Sequence, residues 1–325
     1  MKLRIGAILV ASLLSMLLDV VGATAQEYPS KPIRIVVAYP PGGGNDVAAR
    51  VLGARLQERL GQPVIVDNRP GAAGQVGTAV VANAAPDGYT LLLTNPGPQA
   101  VSPSLQPNLP YDVVQSFAPI AIVARMPFFI VVPGNSSYKA LGELIAAEKA
   151  APGKYNFGSA GIGSLSQIVG EMFNKAAGTH FVHVPYKGAA PQILDTVSGR
   201  VEMSILSAVD SAAQLKQGGL RALATTGRER SPLAPEAPTM EEAGIRGFDI
   251  DIWYAVLAPA GTPPGIVRKL NAELTEILGE EPVKSKFREL AATPGASTPE
   301  ELAETIRQDR DRYADVVRSS GIKPE

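Results

Sequence analysis

The stretch IRIVVAYPPGGGND, residues 33–46, decides the fold. It opens with an apolar run rich in β-branched residues, which is typical of a buried strand in a parallel sheet. Two prolines end the run, and the three glycines at 42–44 leave the next turn without side chains. Apolar residues then recur at a four-residue spacing, at Ala48, Leu52, Leu56 and Leu60. The stretch therefore predicts a strand, a glycine-rich turn and an amphipathic helix that Asp46 opens.

This turn has the chemistry of an anion site. The first amides of a helix have no partner within the helix and carry partial positive charge, so they can hold a carboxylate or phosphate without a cationic side chain. Asp46 cannot attract an anion, and we interpret it as the helix N-cap or as the partner of a ligand ammonium group. The predicted ligand contacts here are Pro41, Gly42, Gly43, Gly44, Asn45 and Asp46.

A second stretch repeats the same arrangement. Residues 156–159 predict a short strand, a glycine-rich turn follows at 160–164, and Ser164 with Gln167 gives the capping-box pattern of a helix start. An isolated glycine pair is usually only a tight turn. Because two such turns recur in equivalent places, contact with a ligand is the favoured interpretation. The predicted contacts of this second turn are Ser159, Ala160, Gly163 and Ser164.

Alternating strand and helix patterns fill the rest of the chain and predict an α/β fold of two doubly wound domains. Runs at 119–124 and 128–132 predict two successive strands, the second of which begins a new domain, and 252–258 returns the chain to the first. The predicted limits are 26–125 plus 251–325 for domain 1 and 126–250 for domain 2, joined by a two-strand hinge. Other predicted strands leave through polar residues at Asn95, Gln99, Tyr186 and Ser207.

The composition and the N-terminal sequence limit the possible partners and the cellular location of the protein. Thirty basic and 31 acidic residues give a net charge of −1, unlike the basic surface of a nucleic-acid binder, and there is no cysteine. Two basic residues precede an apolar run at 5–21, and Ala23-Thr24-Ala25 has the pattern of a signal-peptidase site. The alternative is a membrane anchor, which Asp19 disfavours by interrupting the run. Residues 1–25 are therefore predicted to be a cleaved signal peptide that directs export of the mature chain.

Several kinds of chemistry are disfavoured by the residues. The two histidines, His180 and His183, make a poor metal site, and no G-x-S-x-G nucleophile elbow occurs. Ser164 is better placed as a helix cap than as a nucleophile. A dinucleotide fingerprint would need glycine where Val47 stands, and no phosphate-binding G-x-x-x-x-G-K-[ST] is found. The sequence predicts no cofactor, no metal and no enzymatic activity.

Six motifs in order resemble a known family. PPGGGNDVAAR, VDNRPGAAGQVG, NFGSAGIGS, HVPYKGAAP, APTMEEAG and WYAVLAPAGTP are similar to motifs of the substrate-binding receptors of tripartite tricarboxylate transporters, the Bug family. The resemblance implies a clam-shell receptor of the periplasmic-binding-protein type that closes on a small carboxylate and delivers it to separately encoded membrane permease subunits. It also implies that the loops at 42–46 and 159–164 hold ligand carboxylates through amides, hydroxyls and ordered waters. Further polar contacts that distinguish ligands are implied at Asn95, Gln99, Tyr186 and Ser207. We expect a monomer.

Two departures from the family pattern bear on the ligand. Ser166-Gln167 stands where the family often has histidine, and the run at 204–207 stands where an acid-containing turn is common. The sequence leaves open a di- or tricarboxylate, an amino acid or an aromatic acid. It also leaves open an alternative function, a ligand-sensing receptor that docks on the periplasmic sensor domain of a signalling system.

Overall fold

The computed structural model of the protein describes residues 28–106, 108–246, 248, 250–320 and 322. The predicted signal peptide lies outside these residues. Within them, no helix combines the length and the apolar character that a bilayer-spanning segment requires.

Two sheets share one strand. In the first sheet, three parallel strands in the order β2-β1-β3 are followed by β9 and by the first part of β4, both antiparallel to their neighbours. In the second sheet, three parallel strands in the order β6-β5-β7 are followed by the second part of β4, and β8 pairs antiparallel with β4. The strands are β1 (Ile33–Val37), β2 (Val64–Asn68), β3 (Thr90–Thr94), β4 (Phe117–Pro133), β5 (Asn156–Ser159), β6 (Val182–Pro185), β7 (Met203–Ser207), β8 (Leu220–Thr225), β9 (Asp251–Pro259) and β10 (Thr293–Pro294).

Helices cover both faces of the sheets, as parallel strands require. Successive residues of β1 belong to apolar clusters on opposite faces of the sheet. Ile35 clusters with residues of the helices at 44–60 and 264–279, and Val36 clusters with residues of the helices at 75–82 and 299–320. The helices are α1 (Gly44–Leu60), α2 (Gln75–Ala82), α3 (Ser102–Leu105), α4 (Leu141–Ala150), α5 (Leu165–Ala177), α6 (Ala189–Val197), α7 (Ala208–Gln217), α8 (Pro264–Gly279), α9 (Glu281–Glu289) and α10 (Pro299–Ser320). A 3-10 turn at Ala72–Gly74 precedes α2, and a π turn at Gly97–Val101 precedes α3.

The predicted α/β fold of two doubly wound units is confirmed, with one correction. The runs at 119–124 and 128–132 were expected to be separate strands, whereas β4 is a single strand of 17 residues. Its pairing changes in the middle, because Pro127 lies opposite Asp251 in the first sheet and Phe128 lies opposite Ser207 in the second. Pro127 lacks an amide hydrogen and stands at this change of partner, where an interruption of the ladder is tolerated. The exact domain limits stay a prediction.

The two sheets have the same plan around their glycine-rich loops. The order β2-β1-β3-β9 in the first sheet matches β6-β5-β7-β4 in the second. The loop between β1 and α1 therefore occupies the same topological position as the loop between β5 and α5. Both loops lie at the carboxyl end of the central strand among the three parallel strands of their unit, and open α/β sheets bind ligands at the carboxyl ends of their strands.

Thr226 ties the two crossings of the hinge together. It is completely buried, and its hydroxyl accepts a hydrogen bond from the Phe128 amide (2.9 Å) and donates one to the Ile250 carbonyl (2.6 Å). Its own amide donates to the Phe128 carbonyl (2.9 Å), and its carbonyl accepts from the Ile250 amide (3.1 Å). One residue thus joins the start of the second half of β4 to the residue that precedes β9.

The C-terminal helix α10 packs against both units. Tyr313 and Val317 belong to an apolar cluster with Val101 from the first unit and Ile168 of α5 from the second. The indole Nε1 of Trp253 in β9 donates to Asp309 Oδ2 over 2.7 Å, which fixes the helix against the hinge strand.

Replacing Thr226 by valine tests the hinge tie. The change keeps the shape of the side chain but leaves the Phe128 amide and the Ile250 carbonyl without their partner, and each buried group of this kind costs about 1–3 kcal/mol. We expect the free energy of unfolding to fall by about 2–4 kcal/mol. Urea titration followed by circular dichroism should show a lower midpoint with an unchanged slope.

Thr275 is the matched control. It lies exposed on α8, and its hydroxyl bonds only to the Asn271 carbonyl one turn back in the helix. Thr275→Val should change stability by no more than about 0.5 kcal/mol. An equally small effect at Thr226 would show that its hydroxyl does not hold the crossings together.

Candidate functional site

The first glycine-rich loop ends in an open helix terminus. Helix α1 begins at Gly44, its N-cap is Gly43 without a side-chain cap bond, and its first bond joins the Val47 amide to the Gly43 carbonyl over 3.0 Å. The amides of Gly44, Asn45 and Asp46 come before that bond, so they are the positive end of the helix. Pro41, Gly42 and Gly43 are exposed beside them.

Asp46 is not the helix cap, so that interpretation was wrong. It lies inside the first turn, is only 3% exposed, and accepts a hydrogen bond from the Gly42 amide at 2.9 Å. Arg50 Nε and Asn68 Nδ2 also donate to its two oxygens, each over 3.0 Å. Although burial acts in the opposite direction, these bonds hold the pKa of Asp46 below its usual value. Both oxygens are engaged, so Asp46 fixes the loop in shape, and Gly42 can follow it because its φ of 86° suits glycine.

Tyr254 of β9 packs beside this loop, and the sequence analysis did not predict it as a site residue. A methyl group on Gly44 would collide with the Tyr254 hydroxyl, so the ring lies directly against the start of α1. Burial first, and then the charges of Asp210 and Tyr39, raise the pKa of Tyr254, which keeps the phenol neutral and able to donate. The available signal was an aromatic hydroxyl in the otherwise apolar strand that leaves the predicted hinge.

Buried polar atoms without partners lie where β3 ends. Both amide atoms of Gln99, the Thr94 hydroxyl and Asn45 Oδ1 are buried and have no hydrogen-bond partner among the described residues. Thr94 pairs with Ala255, and Ala255 and Tyr254 belong to different apolar clusters on the two faces of the sheet, so the Thr94 hydroxyl lies on the other face from the Tyr254 ring, whereas Asn45 lies beside Gly44 at the start of α1. Burying an unbonded polar group is costly, and such groups therefore indicate a place where a polar molecule binds.

The side-chain oxygen of Asn95, unlike the atoms just described, has hydrogen-bond partners. Its Oδ1 accepts from the Tyr39 hydroxyl at 2.8 Å and from the Gly97 amide at 2.9 Å. This oxygen therefore orders the turn after β3.

The second glycine-rich loop satisfies its own amides. Ser166 Oγ accepts from the Ala160 amide (3.0 Å), Ser159 Oγ from the Gly161 amide (3.2 Å) and Gln167 Oε1 from the Gly163 amide (2.8 Å). The two loops are thus equivalent in topology and different in chemistry. In the second, the hydroxyls of Ser159 and Ser164 both donate to the Gly161 carbonyl.

Ser164 is the N-cap of α5, as the capping pattern predicted. Its Oγ accepts from the Gln167 amide at 3.3 Å and donates to the Gly161 carbonyl at 2.6 Å. The Gln167 side chain reaches Gly163, one residue before the position that a capping box requires.

His183 holds the side chain of Ser159 in place by a hydrogen bond. Its Nε2 lies 2.6 Å from Ser159 Oγ, and its Nδ1 lies 3.2 Å from Gln167 Nε2. Because an amide nitrogen can only donate, Nδ1 accepts and Nε2 carries the proton. Burial lowers the pKa of His183 to about 4, so the imidazole is neutral. The part of the chain that the structure describes contains no group of three or more His, Cys, Asp or Glu side chains that could hold a metal ion.

Tyr186 and Ser207 follow the other two parallel strands of the second unit. The Tyr186 hydroxyl donates to Asp195 Oδ2 at 3.0 Å, so this group is engaged with α6. Ser207 caps α7, since its Oγ accepts from the Asp210 amide at 3.1 Å and donates to Asp210 Oδ2 at 2.5 Å.

The structure brings part of the predicted site together around Tyr254. Gly44 lies against the phenol from the first unit, and the negative charge of Asp210, three residues after Ser207, contributes after burial to the raised pKa of Tyr254. Leu105 and Gly163 make another contact between the units, because a methyl on Gly163 would lie 2.7 Å from Leu105 Cδ1. The side-chain oxygen of Asn95 and the hydroxyl of Tyr186 are engaged with neighbours in their own units.

Known proteins are similar to this chain in both sequence and fold. The family described as tripartite tricarboxylate transporter family receptor matches residues 48–322. Protein BugT of Bordetella pertussis is 40% identical over 301 residues, which cover 92% of each chain.

Two solved structures of Rhodopseudomonas palustris proteins are similar to this chain. Rpa4515 with adipate is 32% identical with a TM-score of 0.82, over 92% of this chain and all of its own. MatC with bound malate is 31% identical with a TM-score of 0.76, over 89% of this chain and all of its own.

Asp46→Asn should weaken the first loop in a pH-dependent way. The folded pKa of Asp46 lies below the unfolded value of about 3.9, so its stabilising contribution is complete above that pH. At pH 7 the variant should lose about 1–2 kcal/mol of unfolding free energy, because Arg50 then faces a neutral amide. The deficit should shrink as the pH falls below the unfolded value and vanish as it passes through the folded pKa.

Asp311→Asn is the control for charge removal. Asp311 is an exposed carboxylate on α10, 70% accessible at its side chain, and pairs with its neighbour Arg310. Chemical denaturation at a series of pH values should show no comparable deficit for this variant. A deficit at Asp46 that stays constant down to the lowest pH would contradict an ionic brace.

Proposed function

The chain belongs to the tripartite tricarboxylate transporter receptor family, and we propose that it is a periplasmic receptor for a small carboxylate. The observation that carries the proposal is the open start of α1, where the amides of Gly44, Asn45 and Asp46 precede the first helical bond and Asn45 Oδ1 is buried without a partner. A carboxylate bound there would accept hydrogen bonds from these amides. The adipate and malate in the solved relatives belong to this ligand class.

We propose that the ligand carboxylate is held by dipoles in place of cations. Arg50, the basic residue nearest in sequence to the loop, is already paired with Asp46 at 2.9 Å. The neutral Tyr254 hydroxyl and the amides of α1 would supply donors from the first unit. The hydroxyls at Ser159 and Ser164 would act from the second by turning from the Gly161 carbonyl to the ligand. Amide geometry and cleft size would then set the selectivity, since dipoles recognise a carboxylate without a charged partner.

Closure about the hinge supplies the mechanism. Groups from both units would touch the ligand only in the closed state, so the ligand shifts the population towards that state. The units that move are the predicted domains, residues 26–125 plus 251–325 and residues 126–250. The closed receptor would then deliver its ligand to separately encoded membrane permease subunits as an exported, monomeric protein with no catalytic role.

A thermal-shift screen tests the ligand class. The mature chain from Gln26 onward should be stabilised by at least one member of a panel of adipate, malate, citrate, acidic amino acids and aromatic acids. A ligand present at about a hundred times its Kd adds about 2.7 kcal/mol to the unfolding free energy. A melting point that no carboxylate raises, but that a nucleotide does raise, would overturn the proposal.

Gly44→Ala tests the amides of α1 directly. The added methyl displaces the Tyr254 hydroxyl, which is the movable end of a side chain, so the fold should survive while the site changes. We expect the Kd of the best carboxylate to rise by tenfold or more in calorimetric titration, with a melting point within a few degrees of the wild type.

Gly265→Ala is the matched control. This glycine lies in the first turn of α8, and a Cβ there meets nothing within 4 Å. Its Kd should equal that of the wild type. An unchanged Kd in Gly44→Ala would remove the start of α1 from the site.

A further inference from the structure

An apolar contact joins the two units beside the second glycine-rich loop. Val101 and Leu105 enter it from the first unit, in the π turn and the short helix α3 that follow β3. Ile168 of α5 enters it from the second unit, and all three side chains are buried. Their burial therefore depends on how the two units lie against each other.

Leu105 packs directly on that loop. Its Cδ1 lies 2.7 Å from the position that a Cβ on Gly163 would take, so no side chain fits between the two residues. Leu165, the first residue of α5, is partly buried against the same apolar contact. The end of α3 in the first unit thus lies on a loop of the second unit that is predicted to touch the ligand.

The C-terminal half of α10 completes the contact. Tyr313 and Val317 belong to it and are buried. The N-terminal half of the same helix is fixed to the first sheet, because Leu302 and Ile306 cluster with residues of β1, β3 and β9. Helix α10 therefore belongs to the first unit and carries part of the surface that packs on α5.

The contact lies apart from the places where the chain crosses between the units. The crossings are at 127–128 and 250–251, and Thr226 ties them together. None of these described residues belongs to the apolar contact. A rotation about the crossings that opens the cleft therefore moves Leu105 away from Ile168 and exposes apolar surface, which water disfavours.

We propose that this contact is a latch that keeps the two units together before any ligand binds. The ligand-free receptor then spends most of its time in the closed arrangement and opens transiently to admit a ligand. Leu105 acts as a positioning residue that raises the affinity without touching the ligand, because less of the ligand's binding energy is needed to close the units. The inference goes beyond the proposed function, since it holds for any ligand that binds between the units.

A latch of this kind acts on closure and not on the identity of the ligand. Apolar burial is non-directional and grows with the area removed from water, whereas amide donors must be aligned with a carboxylate. Weakening the latch should therefore lower the affinity for every ligand by the same factor. A side chain that touches the ligand changes different ligands by different factors, and this difference separates the two roles.

Leu105→Ala tests the inference by small-angle X-ray scattering of the mature chain from Gln26 onward. Without ligand, the wild type should scatter as this structure does, and the variant should have a larger radius of gyration. A saturating carboxylate should return the variant to the wild-type radius. In calorimetric titration, the Kd of every ligand that binds should rise by one common factor of about threefold to tenfold. Val317→Ala, on the α10 side of the same contact, should act in the same direction.

Ile245→Ala is the matched control. Ile245 is 9% exposed, as against 8% for Leu105, and it packs in the core of the second unit. This variant should lower the melting point and leave both the radius of gyration and the Kd unchanged. A ligand-free wild type with separated units, or a folded Leu105→Ala variant with the wild-type radius, would overturn the inference. The ligand-free scattering tests the latch even if no carboxylate binds, an outcome that would overturn the proposed function alone.

Discussion

The rest of the structure depends on the single hydrogen-bonded ladder of β4. One strand of 17 residues serves two sheets, and its partner changes from β9 to β7 between Pro127 and Phe128. Because one continuous strand belongs to both sheets, any change in the orientation of one sheet relative to the other must bend the chain at this point. Thr226 ties the return crossing to the same point through four hydrogen bonds. The position of every group that faces the other unit, including both glycine-rich loops, follows from this arrangement.

The two loops show that equal topology does not give equal chemistry. In the first loop, Asp46 takes up the Gly42 amide and leaves the start of α1 open. In the second loop, the amides of Ala160, Gly161 and Gly163 donate hydrogen bonds to the side chains of Ser166, Ser159 and Gln167, respectively. The difference arises because the polar side chains of the second loop lie close enough in the chain to its amides to accept hydrogen bonds from them. A site built from both loops is therefore asymmetric, with amides on one side and hydroxyls on the other.

Electrostatics give the proposed site an unusual character for an anion receptor. Arg50 is neutralised by Asp46, the Tyr254 phenol is held neutral, and burial lowers the pKa of His183 to about 4. The carboxylate of Asp210 is the charge that acts on Tyr254 most strongly among its neighbours. Recognition then depends on fixed dipoles, which act at short range and require the closed arrangement of the two units.

The sequence by itself determined the α/β class, the strand-turn-helix units around both glycine loops, the family, and the cap at Ser164, because each is a local pattern of periodicity, glycine and capping residues. It could not join the runs at 119–124 and 128–132 into one strand, since hydrogen-bond partners come from β7 and β9, distant in the chain. Only the tertiary structure decided that Asp46 braces a loop through Arg50 and Asn68, and that Tyr254 lies against Gly44. The physical reason is that burial and pairing are properties of neighbours in space, and sequence spacing does not contain them.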